Sequence, residues 1–363
     1  MFERRYTGVT PRAPAIYLSP PNLAAHLSSV AMEVLEVDPV VPDAASVRRA
    51  ALVLRGGGLV AFPTETVYGL GAHALDPVAV GRIYAAKGRP RFNPLIVHIA
   101  SAESVPEIAR EWPADAALLA ERFWPGPLTL VVPKRTSVPD AITAGLDTVA
   151  IRVPAHPVAI ALLRASEIPV AAPSANRSTR VSPTTARHVV RSLGRSVDLV
   201  LDAGPTQVGI ESTVVDVTGP VPVVLRPGVI SLAMLADALG REVGVAAQTS
   251  GAAARRSPGM IDRHYAPAAT VRLFSEHDTA EVLAALEAAA ASGRRTGALL
   301  RATPELAVSH LERLPGDAAG YARALYAALH ALDEAGVELA FIERVPDAPE
   351  WSAVRDRLER AAR

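Results

Sequence analysis

The sequence predicts a layered α/β protein with a mixed β-sheet, followed by a second and smaller α/β unit. Short apolar segments with the length of strands alternate with segments whose apolar residues recur at helical spacing. Several strands follow one another without an intervening helix, which favours a sheet with both parallel and antiparallel neighbours. A segment rich in Ala, Gly, Ser, Gln and Arg separates the two units and has the composition of a linker.

Four regions follow from this pattern. Residues 1–40 are rich in Pro, Ser and Ala without a sustained period, and we interpret them as a flexible N-terminal arm. Residues 41–243 form the larger α/β domain, residues 244–269 a linker or lid, and residues 270–363 the smaller α/β domain. We expect regular structure to begin near Asp43.

The elements of the larger domain begin and end at local signals. A helix after Asp43 ends at three consecutive glycines, and the strand 59–62 follows. Asp76-Pro77 begins a helix that runs to about Lys87, since proline is favoured in the first helical turn. The other helices of this domain are predicted at 114–123, 157–166, 184–193 and 231–239. Its other strands are predicted at 95–99, 128–132, 148–153, 169–172, 199–202, 213–217 and 221–225.

The smaller unit repeats the alternation of strands and helices. Its strands are predicted at 270–274, 296–300, 308–311 and 337–343, and its helices at 278–291, 317–335 and 350–361.

Composition limits the class of protein. The 363 residues are 50% hydrophobic, and 37 basic residues balance 37 acidic ones, which does not suggest a strongly nucleic-acid-binding or membrane-surface protein. The chain has no cysteine, so disulfides, thiol nucleophiles and iron–sulfur clusters are excluded. No apolar stretch is long enough to span a bilayer, and the N-terminus lacks the apolar core of a signal peptide. We therefore expect a cytoplasmic protein.

Polar side chains gather where predicted strands and helices end. Residues 62–70 place Thr64, Glu65 and Thr66 after a strand, although these residues alone favour an ordinary turn with a threonine cap. Residues 87–95 carry three cations in a loop that two prolines stiffen. These cations could either satisfy the end of the preceding helix or hold a triphosphate.

Two charged or titratable residues lie in otherwise apolar strands. Arg152 needs an anionic partner if it is buried, and an internal carboxylate and a substrate carboxylate fit this requirement equally well. His98 lies in the segment Leu-Ile-Val-His-Ile, where a lone histidine is more often a satisfied core residue than a ligand.

Three later segments could contact a small molecule. Residues 171–178 combine small residues with Ser174 and Asn176, which suits a nucleotide or phosphate, although such loops are common. Ser212 and Arg226 place a hydroxyl and a guanidinium at strand ends. Residues 257–267 place polar and aromatic side chains in the linker, which suits a lid across a neighbouring cleft.

Common nucleotide and catalytic motifs are missing from the sequence. It contains no phosphate loop, no dinucleotide-binding fingerprint, no nucleophile elbow and no compact His/Asp metal cluster. Chemistry on ATP would therefore need a different kind of site, in which Lys, Arg and Mg²⁺ neutralise charge around the α-phosphate.

Taken together, these segments resemble the threonylcarbamoyl-adenylate synthase family, in its long form with a YrdC-like domain, a linker and a C-terminal domain. The opening segment is similar to residues 62–70, and the paired signature to Lys87-Gly88-Arg89 and Ser174-Ala175-Asn176. The linker is similar to Ser-Pro-Gly-Met and His-Tyr-Ala-Pro within residues 257–267. The resemblance covers about residues 43–363. It implies a three-layer YrdC-like domain with a twisted mixed sheet and a smaller Rossmann-like C-terminal domain.

The resemblance also implies roles for individual residues. The catalytic set would be Lys87, Arg89, Ser174 and Asn176. L-Threonine would be held by Thr66, His98, Arg152, the backbone at Ala172, and Ser212, with Arg152 on its carboxylate. ATP would be held by Lys87, Arg89, Asn93, Thr148, Ser174, Asn176, Ser182, Arg226 and Tyr265. Tyr265 would close over the nucleotide, and Mg²⁺ would enter with ATP rather than on protein ligands.

The implied reaction joins L-threonine, bicarbonate and ATP to give threonylcarbamoyl-adenylate and pyrophosphate. A separate tRNA threonylcarbamoyl transferase complex would then use the product to modify tRNA. The alternative is a YrdC-like RNA-binding or ribosome-associated factor that contacts tRNA or other RNA directly and lacks synthase activity. A non-catalytic paralogue that binds nucleotide is a further alternative. A hydrogenase-maturation carbamoyl transferase is excluded, because its zinc fingers require cysteine.

Overall fold

The larger of the two β-sheets in the computed structural model has eleven strands and organises the first two thirds of the chain. The structure describes residues 32–246, 264–304 and 306–363. In chain order the strands of this sheet are β1 (Glu33–Glu36), β2 (Val60–Pro63), β3 (Tyr68–His73), β4 (Ile96–His98), β5 (Leu128–Pro133), β6 (Thr148–Arg152), β7 (Val170–Ala171), β8 (Leu199–Asp202), β9 (Thr213–Asp216), β10 (Val223–Arg226) and β11 (Gly244–Val245). They lie in the order β1-β8-β2-β3-β7-β4-β6-β5-β9-β10-β11.

The helices between these strands begin at side-chain caps that the sequence supplies. Asp43 accepts from the backbone N–H of Ser46, and Asp76 accepts from that of Val78 with Pro77 in the first turn. The helices are α1 (Ala44–Arg55), α2 (Pro77–Lys87), α3 (Val105–Ile108), α4 (Ala114–Phe123), α5 (Asp140–Thr143), α6 (Pro157–Ser166), α7 (Ala186–Leu193) and α8 (Leu232–Leu239).

Helices cover both faces of the sheet, so the domain has three layers. Side chains of a strand alternate between faces, and Val60 and Phe62 of β2 accordingly pack with α1 and α6. Ala61 faces the opposite core, which includes residues of α2, α4 and α7. Parallel pairs such as β4–β6 occur beside antiparallel pairs such as β5–β6, as predicted.

Strand pairing brings distant segments of sequence to one edge of the sheet. β7 lies between β3 and β4 and is antiparallel to both. In the parallel pair β4–β6, His98 is the partner of Arg152, and both residues are the last of their strands. The polar segments of the sequence therefore converge where these strands end.

The second sheet is parallel and has the strand order β12-β15-β13-β14. Its strands are β12 (Thr270–Phe274), β13 (Thr296–Leu300), β14 (His310–Arg313) and β15 (Leu339–Glu343), and its helices are α9 (Thr279–Ala291), α10 (Ala318–Glu334) and α11 (Ser352–Ala361). Leu299 packs with α10 and α11 on one face, and Ala298 packs with α9 on the other. The prediction of a layered mixed domain followed by a Rossmann-like domain is confirmed.

The two sheets share one apolar core at their junction. Val67, Ile210 and Tyr265 belong to the same buried cluster as Leu325 and Leu329 of α10. Gly209 lies at the closest approach, because a Cβ atom there would come within 2.5 Å of the Cα of Arg323. The loop of the larger domain around Gly209 therefore packs directly on the backbone of α10 in the smaller domain.

Three parts of the sequence-based prediction need correction. Regular structure begins at β1 rather than near Asp43, since residues 33–36 pair in parallel with β8 inside the predicted flexible arm. Residues 68–73 form β3, antiparallel to β2, where we predicted only a turn. Gly244–Val245 extends the large sheet as β11 beside β10, so this part of the predicted linker is a strand. The Ser257-Pro258-Gly259-Met260 motif lies outside the described residues.

We expect Gly209→Ala to destabilise the protein far more than Gly240→Ala. Both glycines have positive φ, 82° and 62°, so both substitutions carry the cost of a left-handed alanine, about 1 to 2 kcal/mol. Only the alanine at 209 also meets backbone atoms, which adds roughly 1 to 3 kcal/mol of overpacking. Urea unfolding of the two variants measures the difference. Equal midpoints would contradict a tight junction between the two domains.

Candidate active site

A narrow cleft opens where β3, β4, β6, β7 and β10 meet the segment that begins at residue 264. The side chains or backbone atoms that line it are those of Thr64, Thr66, Val67, Gly69, Arg89, Ile96, His98, Arg152, Ala172, Pro173, Ser174, Glu211, Arg226, His264 and Tyr265. Most of these residues are polar or charged and are nevertheless buried. Buried charge of this density is uncommon outside functional sites.

One end of the cleft is built around an ion pair between Arg152 and Glu65. Arg152 Nη2 lies 2.7 Å from Glu65 Oε1 and 2.9 Å from Thr66 Oγ1, and its Nε donates to the Gly126 carbonyl. Glu65 also accepts from the backbone N–H of Ala155. An internal carboxylate was one of the two partners that the sequence allowed for Arg152, and the structure identifies this carboxylate as Glu65. The guanidinium of Arg152 still lines the cleft, where it can meet a second anion.

The other end contains two cations that face neutral oxygen atoms. Lys87 Nζ lies 2.5 Å from the carbonyl oxygens of Ser174 and Asn176, and Arg89 donates to the carbonyls of Asn93 and Pro94. Burial, reinforced by the Arg89 charge, lowers the pKa of Lys87 well below its usual value. Burial also lowers the pKa of Arg89 to about 10. Neither cation forms an ion pair within the described part of the chain, so this end is suited to an anion.

Glu211 is the acceptor at the centre of a network that spans both domains. Its Oε1 accepts from Ser182 Oγ at 2.5 Å, and its Oε2 accepts from Tyr326 OH at 2.9 Å and from Arg357 Nε at 3.0 Å. Burial opposes the charge of Glu211, but the guanidinium groups of Arg357 and Arg226 outweigh it and lower the pKa of Glu211 to about 2. This carboxylate is therefore ionised at physiological pH.

Residues 264–266 cross the cleft and connect the two domains. The backbone N–H of His264 donates to Arg360 in α11, and that of Ala266 donates to Thr179 in the larger domain. Tyr265 has a φ of 61°, which is unfavourable for a residue with a side chain and persists only where surrounding contacts impose it. Its ring stacks at 5.7 Å on that of Tyr326.

Several buried polar atoms around the cleft lack a hydrogen-bond partner among the described residues. They include Nδ1 of His98 and of His264, the hydroxyl of Tyr265, Oδ1 of Asn176, and both side-chain polar atoms of Asn93. Burial lowers the pKa of His98 and of His264 to about 3, so both imidazoles are neutral at physiological pH. Unsatisfied buried groups are costly, and their grouping here indicates where a polar ligand completes the site.

The cavity within the cleft is small, about 40 Å³, which is well below the volume of a typical ligand pocket. Tyr265 is one of the residues that line this cavity, and it is fully buried.

The structure brings most of the predicted site residues together. Those that line the cleft are Thr66, Arg89, His98, Arg152, Ala172, Ser174, Arg226 and Tyr265. Those that contact this lining are Lys87, Asn93, Ser182 and Ser212, whose Oγ lies 3.1 Å from Arg226 Nη2. Asn176 contacts the cleft through Lys87. The Ala172 N–H donates to Ile96, so a substrate contact at Ala172 would come from its carbonyl oxygen.

Thr148 is the exception, because it does not line the cleft. It lies at the start of β6, four residues or about 13 Å from Arg152 at the other end. In the antiparallel pair β5–β6, Thr148 is the partner of Pro133. A contact with ATP would therefore require the nucleotide to extend along β6, and this role stays a prediction.

Sequence reasoning assigned no role to Glu65, Glu211, Tyr326 or Arg357. Glu65 stands within the polar segment 62–70 and Glu211 directly precedes Ser212, so a carboxylate beside a cation-rich site could have marked both of them. Arg357 lies in the helical segment 355–360, where four of the other five residues are charged. Such a run of charges is typical of a solvated helix face. Only the tertiary structure identifies Arg357 as fully buried.

The described residues contain no cluster of His, Cys, Asp or Glu that could hold a metal ion. None of the helices in the described ranges is long and apolar enough to cross a membrane.

Two family models match the chain. Residues 52–228 match the model described as telomere recombination, the Sua5/YciO/YrdC domain, and residues 230–363 match the C-terminal domain of threonylcarbamoyl-AMP synthase. A threonylcarbamoyl-AMP synthase of Pyrococcus abyssi is 44% identical over 87% of this chain and 94% of its own length. One of Bacillus subtilis is 41% identical over 87% and 92%.

A solved structure has the same fold. The crystal structure of Pyrococcus abyssi Sua5 complexed with L-threonine superposes with a TM-score of 0.85 at 42% identity, covering 91% of this chain and 97% of that one. The family resemblance of the sequence is thereby confirmed: the chain belongs to the threonylcarbamoyl-AMP synthase family, in its two-domain form.

Proposed function

We propose that this protein makes threonylcarbamoyl-adenylate from L-threonine, bicarbonate and ATP. The observation that supports this most directly is the division of the cleft. Arg152 is held beside Thr66 at one end, whereas Lys87 and Arg89 face neutral carbonyls at the other. An amino acid and a triphosphate are two anions that must lie side by side to react, and separate cationic ends suit that arrangement.

The threonine end would recognise the carboxylate and the amine of the amino acid. We assign the substrate carboxylate to Arg152, whose position Glu65 fixes, and further contacts to Thr66, His98 and Ser212. The Ala172 carbonyl oxygen would accept from the amine. The nucleotide end would use Lys87, Arg89, Asn93, Ser174, Asn176, Ser182 and Arg226, with Tyr265 closing over the bound nucleotide.

The reaction needs alignment rather than a covalent nucleophile. The threonine nitrogen bonds to the carbon of bicarbonate with loss of water, and a carboxylate oxygen of the resulting carbamate attacks the α-phosphorus. The bond to the β-phosphate breaks, and pyrophosphate leaves. Lys87 and Arg89 would offset the charge that develops on the phosphates, and the closed cleft would keep water from the mixed anhydride.

We further propose that Mg²⁺ enters with ATP. Mg²⁺ usually keeps several waters and binds substrate phosphates with one or two carboxylates, so a dedicated protein cage is not needed. When bound it would neutralise part of the phosphate charge. The cations at the nucleotide end fit phosphates, and Glu211 already accepts from Ser182, Tyr326 and Arg357.

The product would pass to a separate transferase that modifies tRNA, and we place this transfer in the cytoplasm. A reactive mixed anhydride must be consumed quickly, which favours a partner that accepts it close to the cleft.

Pyrophosphate release tests the proposed reaction. We expect release from Mg-ATP to require both L-threonine and bicarbonate. Arg152→Ala should lower kcat/KM by at least about thirtyfold, because removing a buried charge contact costs about 2 kcal/mol or more. Arg82→Ala is the matched control, since Arg82 pairs with Asp198 away from the cleft. Folded wild-type protein without threonine-dependent release would contradict the proposal, and RNA binding would then be measured.

Proton uptake tests the assignment of Lys87 to the phosphates. A triphosphate beside Lys87 favours the charged amine and raises the pKa that burial has lowered, so ATP binding should take up a proton. ATP affinity should therefore fall as the pH rises from the lowered pKa of Lys87 in the free protein to its higher pKa in the complex, provided that the measurement stays above the second pKa of phosphate, about 6. Calorimetry in buffers of different ionisation enthalpy measures the uptake.

The same experiment has a matched control in the only other lysine of the chain, Lys134, which pairs with Asp140. Uptake should disappear in Lys87→Met and persist in Lys134→Met. Uptake that survives in Lys87→Met would show that another group responds to the phosphates.

A further inference from the structure

We propose that Arg357, on the last helix of the C-terminal domain, is a positioning residue of the nucleotide end of the cleft. It would act with Tyr326 by fixing Glu211 and Tyr265. The inference rests on the proposed function, because it assumes that this end of the cleft holds ATP. It makes the C-terminal domain a working part of the site rather than only an attachment point for residues 264–266.

Arg357 touches three separate parts of the site. Its Nε donates to Glu211 at 3.0 Å, and its Nη1 donates to the carbonyl of Pro227, the residue after Arg226, at 3.0 Å. Its guanidinium lies 5.1 Å from the centre of the Tyr265 ring, within the range of a cation–π contact. A planar group with fixed donor directions can hold all three in one relative geometry.

Tyr326 provides a second contact from the same domain. Its hydroxyl donates to the Glu211 oxygen that Arg357 also contacts, and its ring stacks on Tyr265. Both residues are buried, Arg357 to 1% exposure and Tyr326 completely. Neither lines the cleft, so their influence on a ligand must pass through Glu211 and Tyr265.

The position of Tyr265 depends on these contacts. Its backbone is in the left-handed region, and its hydroxyl lacks a partner among the described residues. A positive φ and a buried, unpaired hydroxyl are both unfavourable, so other contacts must keep this tyrosine in place. Arg357 and Tyr326 supply them on the side away from the cleft, which leaves the hydroxyl for a ligand.

Arg152, at the threonine end, is held without this network. Arg152 is held by Glu65, Thr66 and Gly126, all from the larger domain. Weakening the C-terminal-domain contacts should therefore raise KM for ATP while KM for threonine stays nearly constant. A purely structural role for Arg357 would instead lower stability and affect both substrates alike.

The mild test compares two tyrosine-to-phenylalanine variants on α10. Tyr326→Phe removes the hydrogen bond to Glu211, and we expect KM for ATP to rise roughly three- to tenfold, equivalent to about 0.7 to 1.4 kcal/mol. Tyr321→Phe is the control, because that buried hydroxyl lacks a partner within the described residues. Equal KM values for ATP in the two variants would overturn the proposal.

The stronger test removes both charges of the pair. Arg357→Met alone leaves Glu211 buried without its main partner and could fail to fold, so Arg357→Met is combined with Glu211→Gln. We expect the double variant to regain stability but to keep a KM for ATP raised by about tenfold, equivalent to about 1.4 kcal/mol. Arg355→Met, on the same helix and paired with Asp347, is the control. A double variant with wild-type KM for ATP would overturn the proposal.

Direct calorimetric titration with ATP, without turnover, separates this inference from the proposed function. Loss of ATP affinity in Tyr326→Phe but not in Tyr321→Phe supports the positioning role whatever reaction follows. Threonine-dependent turnover in the wild type, with equal ATP affinities in the two variants, would leave the proposed function standing and reject the role of Arg357 and Tyr326.

Discussion

The burial of ionised groups is the constraint on which the rest of the site depends. Glu65 and Glu211 are both buried, and an isolated buried carboxylate would lose its charge or destabilise the fold. Each is instead matched by arginine, Glu65 by Arg152 and Glu211 by Arg357. These pairs fix the two carboxylates, so the cationic groups beside them have defined positions before any substrate arrives.

The two ends of the cleft differ in what holds them. Residues of the larger domain alone build the threonine end, where the register of β4 and β6 places His98 beside Arg152. The nucleotide end needs the C-terminal domain, because Tyr326 and Arg357 complete the shell around Glu211. The two ends of the cleft therefore depend on different parts of the chain.

The sequence predicted the fold well because its periodicity and caps are local signals. Helices 114–123 and 157–166 were predicted with their observed bounds. The strand 33–36 was missed, since four residues give too little pattern and its pairing with β8 lies more than 160 residues away. Candidate site residues could be predicted where they stand in short polar motifs, as at Lys87 and Ser174, or as a lone charge in an apolar strand, as at Arg152. Arg357 could not be found in this way, because its partner Glu211 is distant in sequence and its helix carries many charges.

The distribution of charge also bears on the chemistry. Arg152 already forms an ion pair with Glu65. A second anion beside it would therefore change the local electric field only a little. Lys87 and Arg89 have only dipolar partners within the described residues, so their field is largely uncompensated until phosphate arrives. Stabilisation of charge in a dry site is strongest when the donors are already oriented and need no reorganisation. Lys87 and Arg89 meet this condition, because carbonyl oxygens of Ser174, Asn176, Asn93 and Pro94 orient their donors before a phosphate arrives.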